Sequence, residues 1–455
     1  MQGITFIDPF TNQERYSLGD LGLAYLFADT FKDRLRYVNG AGNYFYFDGC
    51  VWKTDTDYVC ARQCVKAFVG YLENILSHIE FEEFIKIINT RSKRESVIKD
   101  AKDVHPIAIN KFDANPNLLN CLNGTIDLQT GRLRKHDSAD FLSKKANVIF
   151  DPRAKCKRWN QFIDEIMCNT EELTLYLQKI LGYGLSGDTS EDCLFIFYGP
   201  TTRNGKGTLM ESICNLLGDY AGTIQPNSLA QQKISASAHS SDIARLAGIR
   251  LVNTSELPSD LKLNPAIVKQ VTGGDAITTR FLYKSFFEYT PQFKIFISTN
   301  HLPQIKDDSL FSSRRLRLVP FDRHFRDEEQ NRGLKKYFRE ENNKSGILNW
   351  LLEGYFRYKS EGLIAPSKAE ELLREYRINS DVLGLYIENR LVPCDEKERT
   401  KTLDFHTDFL KWCKDENLTA LSLKEFVNTL RQKNVLGRDR TLGNYIKGYR
   451  IKADE

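Results

Sequence analysis

The chain has 455 residues and a net charge of only +4, from 64 basic and 60 acidic side chains, so overall charge points to no particular partner. Its composition is that of an ordinary globular protein with room for about two to four domains. We find no apolar run of about 18 residues for a membrane helix and no signal-peptide pattern at the start, and the ten scattered cysteines favour a reducing, cytoplasmic location over a zinc or disulfide scaffold.

The first 150 residues predict an α+β domain in which helices alternate with short hairpins. Residues 21–38 have the apolar spacing of a helix. An Asp-Gly pair at 48–49 and an Asn-Gly pair at 123–124 suit the tight turns of hairpins. We assign residues 1–150 to this N-terminal domain.

An α/β layer is predicted in the middle of the chain. Residues 151–190 suggest two short helices, which we treat as a helical collar. Beyond them, apolar runs at 193–199, 251–253 and 294–299 suit buried strands, with helical patterns between. Alternation of this kind implies a largely parallel sheet, so the sequence predicts an α/β core at residues 191–325.

The last part of the chain is predicted to hold helices and a small basic unit. We assign residues 326–390 to a helical region, and 391–455 to a polar linker followed by that unit. Ser422 and Glu425 have the spacing of a capping box. Two helices and a basic hairpin are typical of a winged helix-turn-helix.

This end of the chain is strongly basic. Residues 424–452 hold eight Lys or Arg and two acidic residues, which suits contact with a nucleic-acid backbone. A solvated charged surface is the alternative. The candidate DNA contacts are Arg438, Arg440 and Lys447.

The stretch "YGPTTRNGKGT" at 198–208 is similar to a phosphate-binding loop, G-x-x-x-x-G-K-[ST]. It departs from this pattern in two ways. Five residues rather than four separate Gly199 from Gly205, and Gly207 stands where Ser or Thr is expected. A strand precedes the loop and a helix follows, and a helix start favours anions. The candidate nucleotide-binding residues are Gly199, Asn204, Gly205, Lys206, Gly207 and Thr208.

Polar residues downstream supply the other parts that nucleotide hydrolysis needs: a carboxylate, a polar sensor and a cation. Glu256 and Asn300 follow predicted strands, and Arg314 and Arg315 come next. The carboxyl ends of parallel strands converge on one crevice. We therefore expect all four residues to be at strand ends that form one site.

These motifs resemble a known family. "GPTTRNGKGTL", "RLVNTSELP", "FKIFISTNHLPQI" and "SRRLRLVPF" are similar to motifs of superfamily 3 DNA helicases of the phage and plasmid primase-associated type, related to the poxvirus primase-helicase. "LLNCLNGTIDLQTGRL" and "LQKILGYGLSGD" resemble the domain that precedes the motor. The resemblance implies an AAA+-like P-loop core, a homo-hexameric ring, ATP and Mg²⁺ as cofactors, and translocation on single-stranded or forked DNA.

The resemblance also implies roles for single residues. Lys206 would hold the phosphates, Glu256 would be the Walker B carboxylate that acts as base and metal ligand, and Asn300 would be the sensor. Thr208 is the nearest hydroxyl to the metal. Either Arg314 or Arg315 would be an arginine finger that acts in the neighbouring subunit's site.

A hairpin that points into the ring channel is implied at residues 280–289. The sequence there alternates well enough for two short strands, and a lysine beside aromatic rings suits phosphate contact with base stacking. A plain core hairpin is the alternative. The candidate DNA contacts are Tyr283, Lys284 and Phe286.

Two other functions remain open. A non-catalytic DNA-binding replication initiator with a degenerate loop would explain the basic end, but it has little use for Glu256. A P-loop small-molecule kinase would need a substrate pocket and a lid, of which we see no sign. Priming needs paired metal-binding carboxylates. The first 150 residues offer only Asp55 and Asp57, so we expect a separate primase in a phage or mobile element.

Overall fold

The computed structural model of the chain describes most of its residues. These are residues 19–75, 82–231, 241–254, 257–258, 261–280, 287–305, 309–395, 399–416, 418, 420–439 and 443–452.

The N-terminal unit is a four-stranded sheet covered by helices. Its elements are α1 (Asp20–Phe31), β1 (Leu35–Asn39), β2 (Asn43–Phe47), β3 (Trp52–Thr54), α2 (Val59–Ile75), α3 (Glu82–Ile88), α4 (Arg91–Asp100) and β4 (Ile107–Ala108). The strands lie in the order β3-β2-β1-β4, with β1 parallel to β4. Phe27, Tyr44 and Phe68 are buried in its core.

The helix predicted over residues 21–38 is too long. It ends at Phe31, and β1 pairs with β2 so that Leu35 lies opposite Tyr46. Leu35 and Val38 are both buried. Their separation of three residues also fits one face of a helix, so the apolar pattern did not exclude a helix here. Pairing with β2 decides the outcome, because a short apolar run is ambiguous between helix and strand.

A second, three-stranded antiparallel sheet contains the other predicted hairpin. It consists of β5 (Leu118–Cys121), β6 (Gly124–Asp127) and β7 (Arg132–Arg134). Gly124 has φ +152°, and a Cβ there would lie 2.3 Å from the carbonyl oxygen of Arg134. Glycine is therefore required at the predicted turn. Two helices follow, α5 (Lys157–Ile166) and α6 (Glu171–Tyr183), as expected for the collar.

The central layer is a five-stranded sheet, and the predicted α/β fold is confirmed. Its region contains β8 (Leu194–Tyr198), α7 (Lys206–Leu217), β9 (Ala221–Ile224), β10 (Leu251–Thr254), α8 (Pro265–Thr272), β11 (Ile277–Thr279), β12 (Phe287–Tyr289), β13 (Lys294–Thr299), α9 (Ser309–Ser312) and β14 (Leu316–Pro320). The strand order is β14-β8-β13-β10-β9, and every neighbouring pair is parallel.

Both faces of this sheet are buried. Phe195 and Phe197 point into one core and Ile196 into the other, and β13 alternates in the same way. A parallel sheet covered on both faces reads as a continuous apolar run, which is why β8 and β13 could be predicted. We call the end where β8, β10, β13 and β14 finish the carboxyl edge, and the opposite end the amino edge.

Helices beyond the sheet cover its cores. They are α10 (Leu334–Phe338), α11 (Glu341–Glu361) and α12 (Ser367–Ser380). α10 and α11 pack on one core, whereas α12 contributes Ala369 to that core and Tyr376 to the other. A pair of glycines lets α11 approach α6 closely. A Cβ on Gly182 would lie 2.2 Å from the Tyr355 nitrogen, and one on Gly354 would lie 2.1 Å from the Gln178 carbonyl oxygen.

The C-terminal unit has its own core. It consists of α13 (Val382–Arg390), β15 (Leu391–Pro393), α14 (Thr402–Asp415), α15 (Leu423–Gln432), β16 (Leu436–Asp439), β17 (Gly443–Ile446) and β18 (Tyr449–Ile451). The predicted capping box at Ser422 and Glu425 is present. Part of the predicted linker is instead the strand β15, because Leu391 lies opposite Ile451 in β18 and is buried.

Candidate active site at the carboxyl edge of the sheet

The loop after β8 folds tightly against its own lysine. A Cβ on Gly199 would lie 2.3 Å from Asn204 Nδ2 and 3.0 Å from Lys206 Nζ. It would also lie 2.6 Å from the carbonyl oxygen of Phe321. The contact with the Phe321 backbone cannot yield as a flexible side chain could, so the close approach of Phe321 and Asn204 explains the glycine at 199.

Lys206 and Asn300 meet at the carboxyl edge. Lys206 begins α7 and is only 6% exposed. Its Nζ donates to Asn300 Oδ1 at 2.9 Å and to the Gly199 carbonyl oxygen at 3.4 Å. Asn300 directly follows β13, the neighbour of β8. Adjacent parallel strands therefore bring together two residues that are 94 positions apart in the sequence.

The start of α7 is open to an anion. Gly205 at its N-cap has φ +86°, and no side-chain cap hydrogen bond is present among the described residues. The first N–H groups of a helix then need another partner, and the helix dipole favours a negative one. A Cβ on Gly207 would meet no described atom within 4 Å, so the first turn has free space. Thr208, the next residue, is half-buried.

The additional residue of the loop is absorbed before Asn204. Arg203 adopts a left-handed conformation with φ +59°. Asn204 Nδ2 donates to the carbonyl oxygen of Thr201 at 2.7 Å, and the Phe325 N–H donates to the Arg203 carbonyl oxygen at 2.9 Å. The bend is fixed at both ends, so the longer loop still presents Gly205 and Lys206 at the helix start.

A cavity of about 240 Å³ opens beside the first turn of α7. Gly205 and Thr208 line it on the loop side, and Phe162 and Phe325 contribute rings. Cations outnumber acidic groups in its lining, which suits an anionic ligand. The charged lining residues are Arg158, Glu165, Arg203, Glu329, Arg332 and Lys335.

Glu256 lies outside the described residues. β10 ends at Thr254, which is buried and lies opposite Ile297 of β13. The chain therefore leaves the sheet at the carboxyl edge two residues before Glu256.

Arg314 and Arg315 are not at the carboxyl edge, and the expectation that they join this site within one chain is wrong. They directly precede β14, which runs from Leu316 to Pro320. A strand of that length places them about 16 Å from the carboxyl edge. Motif order alone could not show which end of the strand they occupy.

The two arginines also have different surroundings. Arg315 Nη1 donates to Thr272 Oγ1 at 2.7 Å and to the Asp192 carbonyl oxygen at 3.3 Å. Its guanidinium lies 3.7 Å from the Asp192 carboxylate. Arg314 is exposed and has φ +56°. Contacts inside the chain hold Arg315, whereas Arg314 faces solvent.

The stem of the predicted channel hairpin is present, slightly earlier in the sequence than expected. β11 pairs with β12 in antiparallel fashion, with Ile277 opposite Tyr289. Tyr283, Lys284 and Phe286 lie between these strands and outside the described residues. In the C-terminal unit, Arg438 and Lys447 are exposed. Arg440 lies outside the described residues.

Sequence reasoning missed a buried cation that ties the sheet to the N-terminal half. Arg250 precedes β10 and is 1% exposed. Its guanidinium donates to the carbonyl oxygens of Leu118 in β5 and of Leu185, and lies 4.4 Å from the centre of the Tyr220 ring. Burial lowers the pKa of Arg250 below its ordinary value.

A second buried basic side chain lies, like Arg250, at the amino edge of the sheet. Lys294 begins β13, and its Nζ donates to the carbonyl oxygens of Ser186, Asp188 and Gln292. Burial holds the pKa of Lys294 well below its ordinary value. The strands that lead to Asn300 and toward Glu256 are therefore both anchored at their amino ends. In the sequence, the signal that could have identified Arg250 and Lys294 is a single basic residue at the start of each apolar run.

Other features of the chain are plain. All ten cysteines are free thiols. Among the described residues no group of three or more His, Cys, Asp or Glu is placed to hold a metal. No helix in the described part of the chain has the length and apolar character to cross a membrane.

Two protein families match parts of the chain. Residues 24–168 match the family described as D5 N terminal like, and residues 197–315 match a family of unknown function, DUF5906. The first match covers both N-terminal sheets and most of α5. The second covers the loop after β8 and continues through β13 to Arg315.

Relatives with known names come from large DNA viruses. The chain is 29% identical to "Putative helicase L207/L206" of Acanthamoeba polyphaga mimivirus over 358 residues, which is 74% of this chain and 37% of the relative. It is 23% identical to "Putative helicase 121R" of Invertebrate iridescent virus 3, over 76% of this chain and 40% of the relative. The chain thus spans well under half the length of these relatives.

Solved structures share the fold. The apo structure of the NrS-1 C terminal region has a TM-score of 0.52 at 10% identity, with 94% of this chain and 99% of that chain covered. Its A form has a TM-score of 0.50 at 11% identity, with 90% and 84% covered. The resemblance found in the motifs is confirmed: the chain carries a D5 N terminal like domain of the primase-helicase-like kind and is homologous to these viral proteins named as helicases.

Proposed function

We propose that the chain is an ATP-dependent replicative DNA helicase of a phage, virus or other mobile element, and that it moves along single-stranded DNA as a ring. The names of the viral relatives support a helicase in general terms. The observation that carries the proposal is the contact of Lys206 Nζ with Asn300 Oδ1 beside the open start of α7. ATP would be the substrate that contacts Lys206, Asn300 and the start of α7.

The residues at the carboxyl edge suit the phosphates of ATP. Lys206 and the first N–H groups of α7 would hold the β- and γ-phosphates, and the bound nucleotide would take Lys206 Nζ from Asn300. Asn300 would then orient the attacking water, and Glu256 would accept its proton. The cavity beside Thr208 would take the remainder of the nucleotide.

Magnesium fits the same place. Thr208 and Glu256 are the oxygen donors that would hold Mg²⁺, a cation that prefers oxygen ligands and keeps several waters. Bound Mg²⁺ would neutralise charge on the phosphates.

Arg314, rather than Arg315, is the better candidate for the arginine finger. It is exposed at the amino edge, away from its own Lys206, whereas Arg315 is held by Thr272 and Asp192. An arginine far from its own site can act only on a neighbour's nucleotide, as a homo-hexameric ring with head-to-tail interfaces allows.

DNA would pass beside the hairpin of β11 and β12. Tyr283, Lys284 and Phe286 lie between the two strands in the sequence and outside the described residues, and their side-chain types suit stacking on bases and contact with phosphate. A separate primase would supply primers. The carboxylate of Asp55, one of the two acidic residues considered for priming, accepts hydrogen bonds from the N–H groups of Cys60 and Ala61.

ATP hydrolysis by Lys206→Ala tests the assignment. We expect the rate to fall about 100-fold or more, because the positive charge that meets the phosphates is removed. Lys66→Ala, an exposed lysine on α2, is the matched control and should hydrolyse ATP at the parent rate. Hydrolysis that persists in Lys206→Ala would overturn the site. A parent chain that binds DNA but never hydrolyses ATP would instead indicate a non-catalytic initiator.

A further inference from the structure

The C-terminal unit has the element order of a DNA-reading domain. α13 and β15 are followed by two successive helices, α14 and α15, and then by the hairpin of β16 and β17. β15 returns to pair with β18, which closes the unit. A helix-turn-helix places its second helix in the major groove and its first across the backbone. In this unit the second helix is α15.

One face of α15 packs on the core of the C-terminal unit, and the opposite face is exposed to solvent. Phe426 and Leu430 are fully buried against the rest of the unit. Lys424, Asn428 and Arg431 are exposed. Their spacing of four and three residues puts them on one side of the helix. The available face of α15 is therefore polar and basic.

Two acidic groups near this face are paired with basic groups of the unit. Asp439 pairs with Arg399 at 2.5 Å. Asp381 pairs with Lys433 at 2.7 Å. The Glu425 carboxylate accepts from Ser422 in the capping box. On the exposed face, Arg431 Nη1 donates to Asn428 Oδ1 at 3.5 Å.

The basic groups extend beyond the helix. Arg438 in β16, Lys447 after β17 and Arg450 in β18 are exposed. Among the described residues from α15 to β18, Glu425 is the exposed acidic residue. Positive charge is therefore concentrated on α15 and the strands that follow it, which is the footprint that a phosphate backbone requires.

We propose that this unit binds double-stranded DNA, with α15 in the major groove and the strands after it on the flanking phosphates. Asn and Arg are the side chains that pair with adenine and guanine edges, respectively, in that groove. Asn428 and Arg431 read base edges, while Lys424, Arg438 and Lys447 contact phosphates. The site is separate from the sheet edge that holds ATP and from the hairpin at the single strand.

The side chains of α15 favour a duplex over a single strand. Proteins that bind single strands without sequence preference use aromatic rings as stacking platforms. The exposed described residues of α15 are Leu423, Lys424, Glu425, Asn428 and Arg431, and none is aromatic. Charge and hydrogen-bonding groups without rings suit the edges of paired bases.

The test measures binding of the full chain, without nucleotide, to a labelled duplex of mixed sequence and to a single strand of the same length. Arg431→Ala should weaken duplex binding about tenfold and leave single-strand binding unchanged. Arg438→Ala/Lys447→Ala should weaken it further and flatten its salt dependence. Lys66→Ala, which removes an exposed cation from α2 in the N-terminal unit, is the matched control and should bind like the parent.

A second measurement isolates base reading. Duplexes selected by the parent from a randomised pool should share a sequence preference, and Asn428→Ala should relax it at one position. Absence of duplex binding by the parent, or Arg431→Ala that binds the duplex as the parent does, would overturn the proposal. Equal losses for duplex and single strand would indicate a general electrostatic surface and would overturn it too.

These results are distinguishable from a failure of the helicase assignment. Duplex binding through α15 requires no ATP, so Lys206→Ala should keep it in full. The side chains substituted in the C-terminal unit are all exposed, and unchanged thermal unfolding of each variant confirms that the unit remains folded.

Discussion

Single residues decide how the loop after β8 differs from a standard phosphate-binding loop. Gly199 is required by the close approach of the Phe321 carbonyl oxygen and the Asn204 side chain, whereas Gly207 has open space around it. The first glycine is therefore a structural requirement and the second is not. Sequence reasoning identified both departures of the loop, but it could not separate them, because clearance around a Cβ is a property of the folded chain.

Gly207→Ser is predicted to keep the fold and to lower the Mg²⁺ concentration needed for half-maximal ATP hydrolysis. The added hydroxyl would stand where such loops place a metal ligand. Serine should also stabilise α7 by about 0.5 kcal/mol relative to glycine. The measurement is the hydrolysis rate against Mg²⁺ concentration, together with thermal unfolding.

Gly207→Ala is the control for that change, since it adds the Cβ without the hydroxyl. It should raise stability and leave the Mg²⁺ dependence where the parent has it. Loss of hydrolysis in both variants would show that the bound phosphates, rather than the metal, need a bare backbone at this position.

At the scale of elements, the sequence predicted best where burial is complete. β8 and β13 are continuous apolar runs, and both were predicted with their following polar residues. β1 was predicted as helix because the three-residue separation of Leu35 and Val38 fits a helix, although both residues lie in a strand. The amino-edge position of Arg314 was missed because a motif order carries no information on strand direction. Tertiary pairing settled both cases.

The packing of α6 on α11 gives a prediction of stability. Gly354→Ala should lower the free energy of unfolding by about 1–3 kcal/mol, because the new methyl group would meet the Gln178 carbonyl and force the helices apart. Gly70→Ala, in α2 with open space at its Cβ, should instead add about 0.5–1 kcal/mol.

Chemical denaturation of the two variants and the parent measures both changes. A Gly354→Ala variant as stable as the parent would show that α6 and α11 do not pack at this distance.

At the scale of the whole molecule, the proposed function requires neighbouring copies of the chain to complete each ATP site. Lys206 and Asn300 lie at one edge of the sheet, and Arg314 lies at the other, about 16 Å away along β14. Only assembly could bring an arginine of one copy to the nucleotide of the next. The sequence could propose this arrangement by resemblance, but the choice between the two arginines needed their contacts.

Mixing two inactive variants tests the assembly. Arg314→Ala and Glu256→Gln should each hydrolyse ATP poorly alone. Mixed, they should recover activity, because some interfaces then join an intact Glu256 to an intact Arg314. Hydrolysis rates across mixing ratios measure the recovery.

Arg315→Ala is the comparison. It should lose thermal stability, because its hydrogen bond to Thr272 is removed, and it should show no recovery specific to mixing. Recovery with Arg315→Ala but not with Arg314→Ala would reverse the assignment of the finger.

Unwinding of forked DNA is the most direct test of the helicase itself. The parent chain should separate the strands of a labelled fork only when ATP and Mg²⁺ are both present, and Lys66→Ala should match it. Lys206→Ala should bind the fork and leave it paired. Strand separation that needs no ATP, or that Lys206→Ala performs at the parent rate, would contradict an ATP-driven motor at the carboxyl edge of the sheet.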